Sequence, residues 1–359
     1  MNDKEMYEKG YLPATLLPVK YIGVIYCTSN LTAKGREFEK LADCEVIDVA
    51  HAMQAALQEK GYFVQLVDLD PTRIYDFSEF DWIINLVETI YGYPFTDYEI
   101  AEQMERLNIN FTGSGSYALK SCLDKAVTKS ELMKYGVITP AYDVIYPGDL
   151  CVTKCKYPVI VKPIHEDGSI GISKESIAKD VIELAVCIEK IHQLYNQAAL
   201  VEEFIEGRDI TASILGNGEE AMVLPLSEII YLNQGETEFQ TFEAKWLSES
   251  AEFQKCMALC PCAVEPQVET AIKQTALQAY GIMGCRDYAR VDFRLKGDIP
   301  YVLEVNPNPC INPDDSGFVR CGKAAGFQYV DLVHQILESS VKNYCNIQEP
   351  VSYNFLNVG

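Results

Sequence analysis

The sequence predicts an α/β protein in which an N-terminal domain with a doubly wound parallel sheet precedes a larger region with antiparallel sheets. Two observations support this prediction. In the first 112 residues, apolar stretches rich in β-branched residues alternate with stretches of helical spacing. Further along, strand-like stretches are separated by short turns at Gly207 and at Gly297-Asp298. Short turns join antiparallel strands, whereas parallel strands need longer crossovers.

The N-terminal elements are predicted from these periodicities. Strands are expected at residues 19–27, 62–69, 81–87 and 110–112, and helices at 37–60, 96–107 and 116–135. Gly136 follows the last helix, at a position where glycine commonly ends helices. The Pro147-Gly148 turn then marks the entry to a new domain. We therefore divide the chain into residues 1–120, 121–208 and 209–359.

The later elements are predicted in the same way. Strands are expected at residues 158–163, 198–205, 209–215, 222–225, 228–231, 288–295 and 300–306. Helices are expected at residues 178–195, 264–280, 319–325 and 329–342. The strands 288–295 and 300–306 are expected to form an antiparallel pair.

Composition excludes several classes of function. The chain of 359 residues has a formal net charge of -22 and a pI near 4.6, so it should repel a phosphate backbone and not bind nucleic acid. It has no signal-like N-terminus and no run of about 18 apolar residues, so we expect a cytoplasmic protein that does not enter a membrane. The 13 cysteines are then expected to be reduced. Cys256, Cys260 and Cys262 could be plain thiols or part of a zinc site, although three thiols are an incomplete set.

Polar side chains lie along the two late strands. Alternation puts Arg290, Asp292 and Arg294 on one face of the first strand. On the second strand it puts Val302, Glu304 and Asn306 on one face. If the strands are neighbours, Asp292, Glu304 and Asn306 converge as oxygen ligands that suit Mg²⁺. The alternative is a solvated strand face with ion pairs.

Two further segments could hold a nucleotide. A buried strand ends on Lys162, and a loop with Gly168 and Gly171 follows it, so the lysine and backbone N–H groups could contact phosphates. The Gly-Lys-Ser/Thr order of a P-loop is absent, and a plain turn remains open. In the hairpin around Gly207, the strand could pair with adenine and Asp209 could accept a ribose hydroxyl, although an ordinary hairpin remains open too.

The order of these pieces resembles the ATP-grasp superfamily, and within it the D-alanine–D-alanine ligases, over about residues 20–340. The fragments that carry the resemblance are Asn85-Leu86-Val87-Glu88, Leu123-Asp124-Lys125, Gly136-Val137-Ile138-Thr139-Pro140, Glu243-Ala244-Lys245, Gly284-Cys285-Arg286 and Glu304-Val305-Asn306-Pro307-Asn308-Pro309. The resemblance implies an ATP-grasp fold in which residues 121–208 and 209–359 form the two parts of the nucleotide-binding unit.

The resemblance also implies residue roles. The ATP-binding residues would be Lys125, Lys162, Glu202, Glu203, Phe204, Ile205, Asp209 and Lys245. Asp209 would face the ribose, where the family usually has glutamate, and Lys245 would approach the γ-phosphate from a mobile loop. The ligands of two Mg²⁺ ions, with Mn²⁺ as an alternative, would be Asp292, Glu304 and Asn306. The catalytic positions would be Arg290, Lys245, Ser169 and Cys310. Arg290 and the backbone N–H of Cys310 would hold the oxyanion.

The implied activity is amide formation. A substrate carboxylate attacks the γ-phosphate of ATP, and the amine of a second small molecule attacks the resulting acyl phosphate. ADP and phosphate are released. The family usually forms homodimers through its N-terminal domain, so the resemblance implies a homodimer here. The sequence neither implies nor excludes that residues 232–262 close over ATP.

The departures from the family lie at the amino-acid pockets. Residues 28–35 lack the glycine-rich pattern and the glutamate that anchors the ammonium group of the first D-alanine. The family's paired serines are Gly168 and Ser169, and its tyrosine after Lys245 is Trp246. The serine for the carboxylate of the second substrate falls at about Asp315, a residue that would repel a carboxylate. Ser316 could replace it only if the register shifts by one residue.

These departures favour a ligase for a different acid and amine. A site that pairs polar substrate groups rejects molecules that mismatch it. Three alternatives stay open: a true D-alanine–D-alanine ligase, an ATP-grasp small-molecule kinase and a non-catalytic nucleotide-binding module. Phosphate release separates the ligase from the kinase, because a kinase keeps the phosphate on its product. The complete set of Asp292, Glu304 and Asn306 argues against a module without activity.

Overall fold

The computed structural model of the protein describes residues 18–28, 46–70, 76–88, 96–232, 239–314 and 316–348. Several predictions fall outside these ranges. They concern the departures at residues 29–35 and at Asp315, the beginning of the predicted helix 37–60, and the tip of the 232–262 segment at residues 233–238.

The N-terminal sheet is parallel, as predicted. Its strands are β1 (Tyr21–Tyr26), β2 (Phe63–Asp68), β3 (Trp82–Asn85) and β4 (Phe111–Thr112), in the order β2-β1-β3-β4. Its helices are α1 (Val46–Glu59) and α2 (Asp97–Arg106). All four residues of β3 are buried, which explains its unbroken apolar sequence.

The predicted helix 116–135 is wrong in one respect, because the structure divides it at Asp124. Helix α3 (Ser116–Leu123) ends there, and α4 (Lys125–Lys134) begins at the next residue. Asp124 has an extended backbone, and its carboxylate accepts the N–H groups of Ala126 and Val127 at 3.0 Å each. It therefore caps the second helix. Gly136 follows α4 with a φ of 76°, as the C-cap prediction requires.

The central sheet is antiparallel and has the order β5-β8-β6-β7. Its strands are β5 (Tyr142–Ile145), β6 (Val159–Pro163), β7 (Ile177–Ala178) and β8 (Ala199–Glu203). Sequence analysis missed β5. It also began the next helix too early, because residues 177–178 form β7 and α5 (Val181–Tyr195) starts after its cap, Asp180.

The third sheet is the largest and is also antiparallel. Its strands are β9 (Arg208–Leu215), β10 (Met222–Val223), β11 (Ser227–Tyr231), β12 (Cys256–Leu259), β13 (Tyr288–Lys296) and β14 (Ile299–Asn306). The order is β12-β11-β9-β13-β14, and β10 pairs with β9. The helices that follow β11 are α6 (Phe242–Trp246), α7 (Ala251–Gln254), α8 (Pro266–Ile282), α9 (Gly317–Ala324) and α10 (Tyr329–Gln348). Strand β12 and the short helices α6 and α7 were not predicted.

The last helix returns to the N-terminal sheet. Leu332 and Ile336 of α10 share a buried core with Ile22 and Val24 of β1. The division into residues 1–120, 121–208 and 209–359 stays a prediction. In the folded chain, the C-terminal helix completes the core of the first sheet.

Because β14 contains a bulge, the prediction that Val302 shares a face with Glu304 and Asn306 is wrong. Asp292 lies opposite Glu304, but Phe293 lies opposite Val302, so Leu303 is the extra residue. Val302 is fully buried in the core and does not share a face with Glu304. Its N–H donates to the Ile138 carbonyl at 2.9 Å, so the linker after α4 pairs with β14 at the bulge. In the described part of the chain, no helix combines the length and the apolar character that crossing a membrane requires.

Candidate active site

One cavity of about 460 Å³ lies where the three sheets meet. Its wall includes every residue that the sequence analysis assigned to ATP, metal or catalysis. These are Lys125, Lys162, Ser169, Glu202, Glu203, Phe204, Ile205, Asp209, Lys245, Arg290, Asp292, Glu304, Asn306 and Cys310. The fold therefore brings together residues that are up to 185 positions apart in the chain. Their individual roles stay predictions.

Asp292 is the centre of a polar network on β13 and β14. Arg290 donates two hydrogen bonds of 2.8 Å to its two carboxylate oxygens, and the side-chain amide of Asn306 donates a third at 3.0 Å. The Thr211 hydroxyl donates a fourth at 3.2 Å. Burial opposes the charge of Arg290, but Asp292 more than compensates and the pKa of Arg290 is raised. The guanidinium is therefore a fixed cation in this wall.

Glu304 is a permanent anion next to this network. Its carboxylate lies 3.9 Å from the Lys125 ammonium. Burial alone would raise the pKa of Glu304, but Lys125, Arg290 and Lys162 outweigh it and lower the pKa to about 2.

The donor set fits Mg²⁺. Two carboxylates and the amide oxygen of Asn306 meet on one strand pair beside the cations that phosphates need. Among the described residues, no three His, Cys, Asp or Glu side chains form a metal-binding group, so an amide would have to supply the third oxygen. Cys260 of the proposed cysteine group contacts Cys321 instead, with the sulfur atoms 3.9 Å apart.

A buried ion triad holds the lysine that ends β6. Glu202 forms ion pairs with Lys129 and with Lys162, the second at 2.5 Å. Glu202 and Lys129 are each only 1% exposed. Burial alone would raise the pKa of Glu202, but the two lysines lower it to about 2. Sequence analysis missed Lys129, although its position four residues after Lys125 puts both lysines on one face of α4.

Asp209 has protein partners for both of its carboxylate oxygens. Arg294 donates to one at 2.8 Å, and the Tyr231 hydroxyl donates to the other. Burial raises the pKa of Asp209, and Arg294 opposes the rise. Asp209 lines the cavity, as predicted, but a ribose hydroxyl would have to share these partners. Sequence analysis assigned no role to Tyr231.

Aromatic rings close the end of the cavity where adenine is predicted to bind. The rings of Phe204 and Phe239 meet edge to face, with centroids 5.8 Å apart. The guanidinium of Arg294 lies 5.5 Å from the centre of the Phe204 ring. The two phenylalanine rings and the buried Ile205 give the cavity an apolar region beside the end of β8, and the Arg294 guanidinium lies at its edge.

The segment that carries Lys245 is tied to the loop after β6. The indole N–H of Trp246 donates to the Gly168 carbonyl at 2.8 Å, and the Ser169 hydroxyl donates to the Gln240 carbonyl at 3.3 Å. The Lys245 ammonium lies 5.1 Å from the centre of the Trp246 ring. Both loop residues have a positive φ, 56° at Gly168 and 64° at Ser169. The described parts of the 232–262 segment thus cover the glycine-rich loop.

The N-terminal domain reaches the site through Asn308. Its side-chain oxygen accepts the Tyr288 hydroxyl at 2.6 Å, and its amide donates to the Val87 carbonyl at 3.5 Å. This places Glu88 and Cys310 in the same wall.

The family profile described as D-ala D-ala ligase C-terminus matches residues 140–338, more than half of the chain. The chain belongs to the D-alanine–D-alanine ligase family. This confirms the resemblance that the ordered motifs indicated. The profile covers the strand pairs β6–β8 and β13–β14, which carry most of the site.

Curated relatives agree over most of the chain. A D-alanine–D-alanine ligase of Carboxydothermus hydrogenoformans is 33% identical over 301 residues, which cover 80% of this chain and 90% of the relative. One of Cupriavidus necator is 30% identical over 292 residues, which cover 80% and 84%. The uncharacterized protein y4sG of Sinorhizobium fredii is 32% identical over 308 residues, which cover 82% and 88%.

A solved structure confirms the predicted fold. The D-alanine–D-alanine ligase from Bacillus anthracis, a crystal structure in complex with ATP, superposes with a TM-score of 0.71 at 23% identity. The match covers 91% of this chain and 99% of that chain. This match shows that the chain has the D-alanine–D-alanine ligase fold, in agreement with the fold class predicted from the sequence.

Proposed function

We propose that the protein is an ATP-dependent carboxylate–amine ligase that forms an amide through an acyl phosphate and does not use D-alanine as both substrates. Family membership supports the ATP-dependent ligase class. One observation carries the assignment for this chain. Lys125 and Lys162 line the same cavity as the anionic pair Asp292 and Glu304, and the Lys125 ammonium lies 3.9 Å from the Glu304 carboxylate. This is the charge arrangement that phosphates and Mg²⁺ need together.

Different residues bind the phosphates and the metal ion in the first half-reaction. Lys125, Lys162 and Lys245 bind and orient the phosphates of the substrate ATP, so that the γ-phosphorus is presented to a substrate carboxylate. Asp292, Glu304 and Asn306 would hold Mg²⁺, and the bound ion would neutralise part of the phosphate charge. Positioning and charge stabilisation are the main contributions of the protein to phosphoryl transfer.

The second half-reaction needs an oxyanion site. When the amine attacks the acyl carbonyl, negative charge develops on the carbonyl oxygen. Arg290, fixed by Asp292, and the backbone N–H of Cys310 hold that charge. Trp246 and the loop at Gly168 cover the reacting groups and exclude water.

The side chains near the predicted amino-acid pockets support substrates other than two D-alanines. Where the family has a tyrosine hydroxyl, this chain has the indole N–H of Trp246. That N–H already donates a hydrogen bond to the Gly168 carbonyl. Gly168 itself has no side-chain hydroxyl to offer. The polar contacts that the family's serine and tyrosine would make are therefore replaced by a contact within the protein.

ADP release by the purified protein with Mg²⁺-ATP tests the proposal. The panel contains D- and L-amino acids, singly and in pairs, and D-alanine alone is the reference. We expect release of ADP and free phosphate only with an acid–amine pair that is not two D-alanines. Efficient turnover with D-alanine alone would establish a D-alanine–D-alanine ligase instead. ADP without free phosphate would establish a kinase.

We also propose a cytoplasmic location and a homodimer formed through the N-terminal domain. The homodimer rests on the resemblance to the family, which usually dimerises through this domain. Light scattering coupled to gel filtration measures the oligomeric state, and a mass near the monomer's 40.3 kDa would exclude the dimer.

A further inference from the structure

Two cysteines meet where the edge strand of the third sheet ends beside helix α9. Cys260 directly follows β12 (Cys256–Leu259), and Cys321 lies within α9 (Gly317–Ala324). The Cys260 thiol donates to the Cys321 sulfur at 3.9 Å and lies 3.6 Å from the Pro225 carbonyl oxygen. Neither cysteine has a part in the mechanism above.

The surroundings of the pair favour a thiolate on Cys321. The hydrogen bond from Cys260 is the largest effect, and the guanidinium groups of Arg320 and Arg290 add to it. Together they lower the pKa of Cys321 to about 7, although burial opposes them. The same hydrogen bond and burial raise the pKa of Cys260, which keeps the proton. The pair therefore combines a nucleophilic thiolate with a second thiol in contact with it.

Other neighbouring thiols lack this combination. Cys122 and Cys285 also share a hydrogen bond, but both are buried, and burial raises the pKa of Cys122. Burial likewise raises the pKa of Cys262, two residues after Cys260, to about 11. Cys122 and Cys262 therefore stay protonated at neutral pH, and a protonated thiol reacts slowly with oxidants.

Helix α9 forms part of the cavity wall. Its cap residue Ser316 and, one turn later, Arg320 line the cavity. The Phe318 ring packs edge to face against Tyr288, with centroids 5.6 Å apart, and the Tyr288 hydroxyl donates to Asn308. A movement of α9 would therefore reach both the cavity wall and the segment that carries the proposed oxyanion N–H.

A disulfide bond would require such a movement. Bonded sulfur atoms are about 2.05 Å apart, so the two sulfurs must approach each other by roughly 2 Å. Cys321 is fully buried in the same core as Val319 and Leu332, where close packing leaves its side chain little room. Part of the movement must therefore be made by α9 itself. A displacement of about 1 Å at an active site can lower turnover by about 100-fold.

We propose that Cys260 and Cys321 form a reversible disulfide bond with hydrogen peroxide and that this bond, through α9, lowers the rate of ADP release. The effect on turnover rests on the proposed ligase function, whereas formation of the bond does not. Because Cys321 is buried, the oxidant must be small, and the partly exposed Cys260 is the side from which it reaches the pair.

The oxidation has two steps. The Cys321 thiolate attacks one peroxide oxygen, the O–O bond breaks and hydroxide leaves, so that Cys321 becomes a sulfenic acid. The Cys260 sulfur then attacks the Cys321 sulfur, and the S–O bond breaks with loss of water. Two thiols are thereby oxidised to one disulfide, and one peroxide is reduced to two waters.

The test measures the disulfide and the turnover in the same samples. Wild type, Cys260→Ser and Cys321→Ala are treated with hydrogen peroxide, with and without later dithiothreitol. Non-reducing peptide mapping by mass spectrometry then identifies every disulfide. The matched control is Cys262→Ser, which removes a partly exposed thiol two residues from Cys260. Each protein is compared with its own reduced form, so that any effect of the substitution on folding cancels.

In the wild type and in Cys262→Ser, we expect a disulfide between Cys260 and Cys321 and a loss of ADP release of about tenfold or more, which dithiothreitol reverses. Cys260→Ser should form no such bond, and Cys321→Ala should keep its reduced rate within about twofold at the same peroxide dose. Bond formation between Cys260 and Cys262 instead, or equal inactivation of Cys321→Ala, would overturn the proposal. A bond between Cys260 and Cys321 that leaves turnover unchanged would do so too.

Failure of the ligase proposal can be separated from failure of this one. If no acid–amine pair causes ADP release, the ligase proposal fails, and the disulfide is still scored by peptide mapping. In that case, a bond between Cys260 and Cys321 that dithiothreitol reduces would support the pair as a site of reversible oxidation. Absence of the bond would overturn it.

Discussion

Asp292 and Glu304 lie directly opposite each other on β13 and β14, and this pair adjoins the bulge at Leu303. The bulge turns Val302 into the core while it leaves Glu304 and Asn306 facing the cavity. The bulge therefore lets one strand present oxygen donors to the cavity and also pack into the hydrophobic core.

Removal of one of these charges should strongly reduce activity and leave the fold intact. In Glu304→Gln, we expect ADP release to fall by about 100-fold or more, because a Mg²⁺ ligand is worth several kcal/mol of charge stabilisation. Higher Mg²⁺ should restore part of the loss. The control is Asp298→Asn, an exposed acid in the turn of the same hairpin, which should keep full activity. Normal activity in Glu304→Gln would exclude Glu304 as a metal ligand.

The buried triad should make stability depend on pH at the acidic end. The pKa of Glu202 is 4.5 in its reference state and about 2 in the fold, so its ion pairs stabilise the protein fully above pH 4.5. This contribution, about 3 kcal/mol, is lost as pH falls toward 2. In urea unfolding, Glu202→Gln should be less stable than the wild type at neutral pH, and the gap should narrow as pH falls.

The control for the triad is Glu206→Gln, an exposed acid in the following turn, which should match the wild type at every pH. A gap between Glu202→Gln and the wild type that stays constant from neutral to acidic pH would show that Glu202 does not stabilise the fold through its charge.

Trp246 should report nucleotide binding by fluorescence. It bonds to the loop predicted to hold phosphates, whereas the other tryptophan, Trp82, is buried in β3. We expect Mg²⁺-ATP to change the emission of the wild type and of Trp82→Phe, but not of Trp246→Phe. Loss of one neutral hydrogen bond, about 1 kcal/mol, should also raise the KM of ATP about fivefold in Trp246→Phe. An unchanged response in that variant would mean that this segment does not sense the nucleotide.

The oxyanion site should depend on the Arg290 side chain and on the Cys310 backbone only. Arg290→Lys keeps the charge but loses the two parallel hydrogen bonds to Asp292, so kcat should fall by about 100-fold. Cys310→Ala keeps the N–H group and should retain kcat within about twofold. A large loss in Cys310→Ala would instead assign a role to the thiol. Melting temperatures of both variants identify any loss that is due to unfolding.

Local patterns were sufficient for the elements that carry most of the site. The apolar run before Lys162 and the alternation around Asp292 predicted β6 and β13 because burial of one or both strand faces dictates those patterns. Strand β5 was missed, since three of its four residues are only partly buried and its sequence lacks a strong period. The break at Asp124 was missed because helical spacing continues on both sides of it.

By itself, the sequence determined the fold class, the family and the candidate ATP, metal and catalytic residues that line the cavity, because each depends on residue types in a fixed order along the chain. Only the tertiary structure decided the direction of Val302, the partnership of Lys129 with Glu202, and the contact between Cys260 and Cys321. These depend on a bulge, on burial and on contacts between distant segments. No local pattern encodes them, since the free energy of each comes from atoms that meet only after the chain has folded.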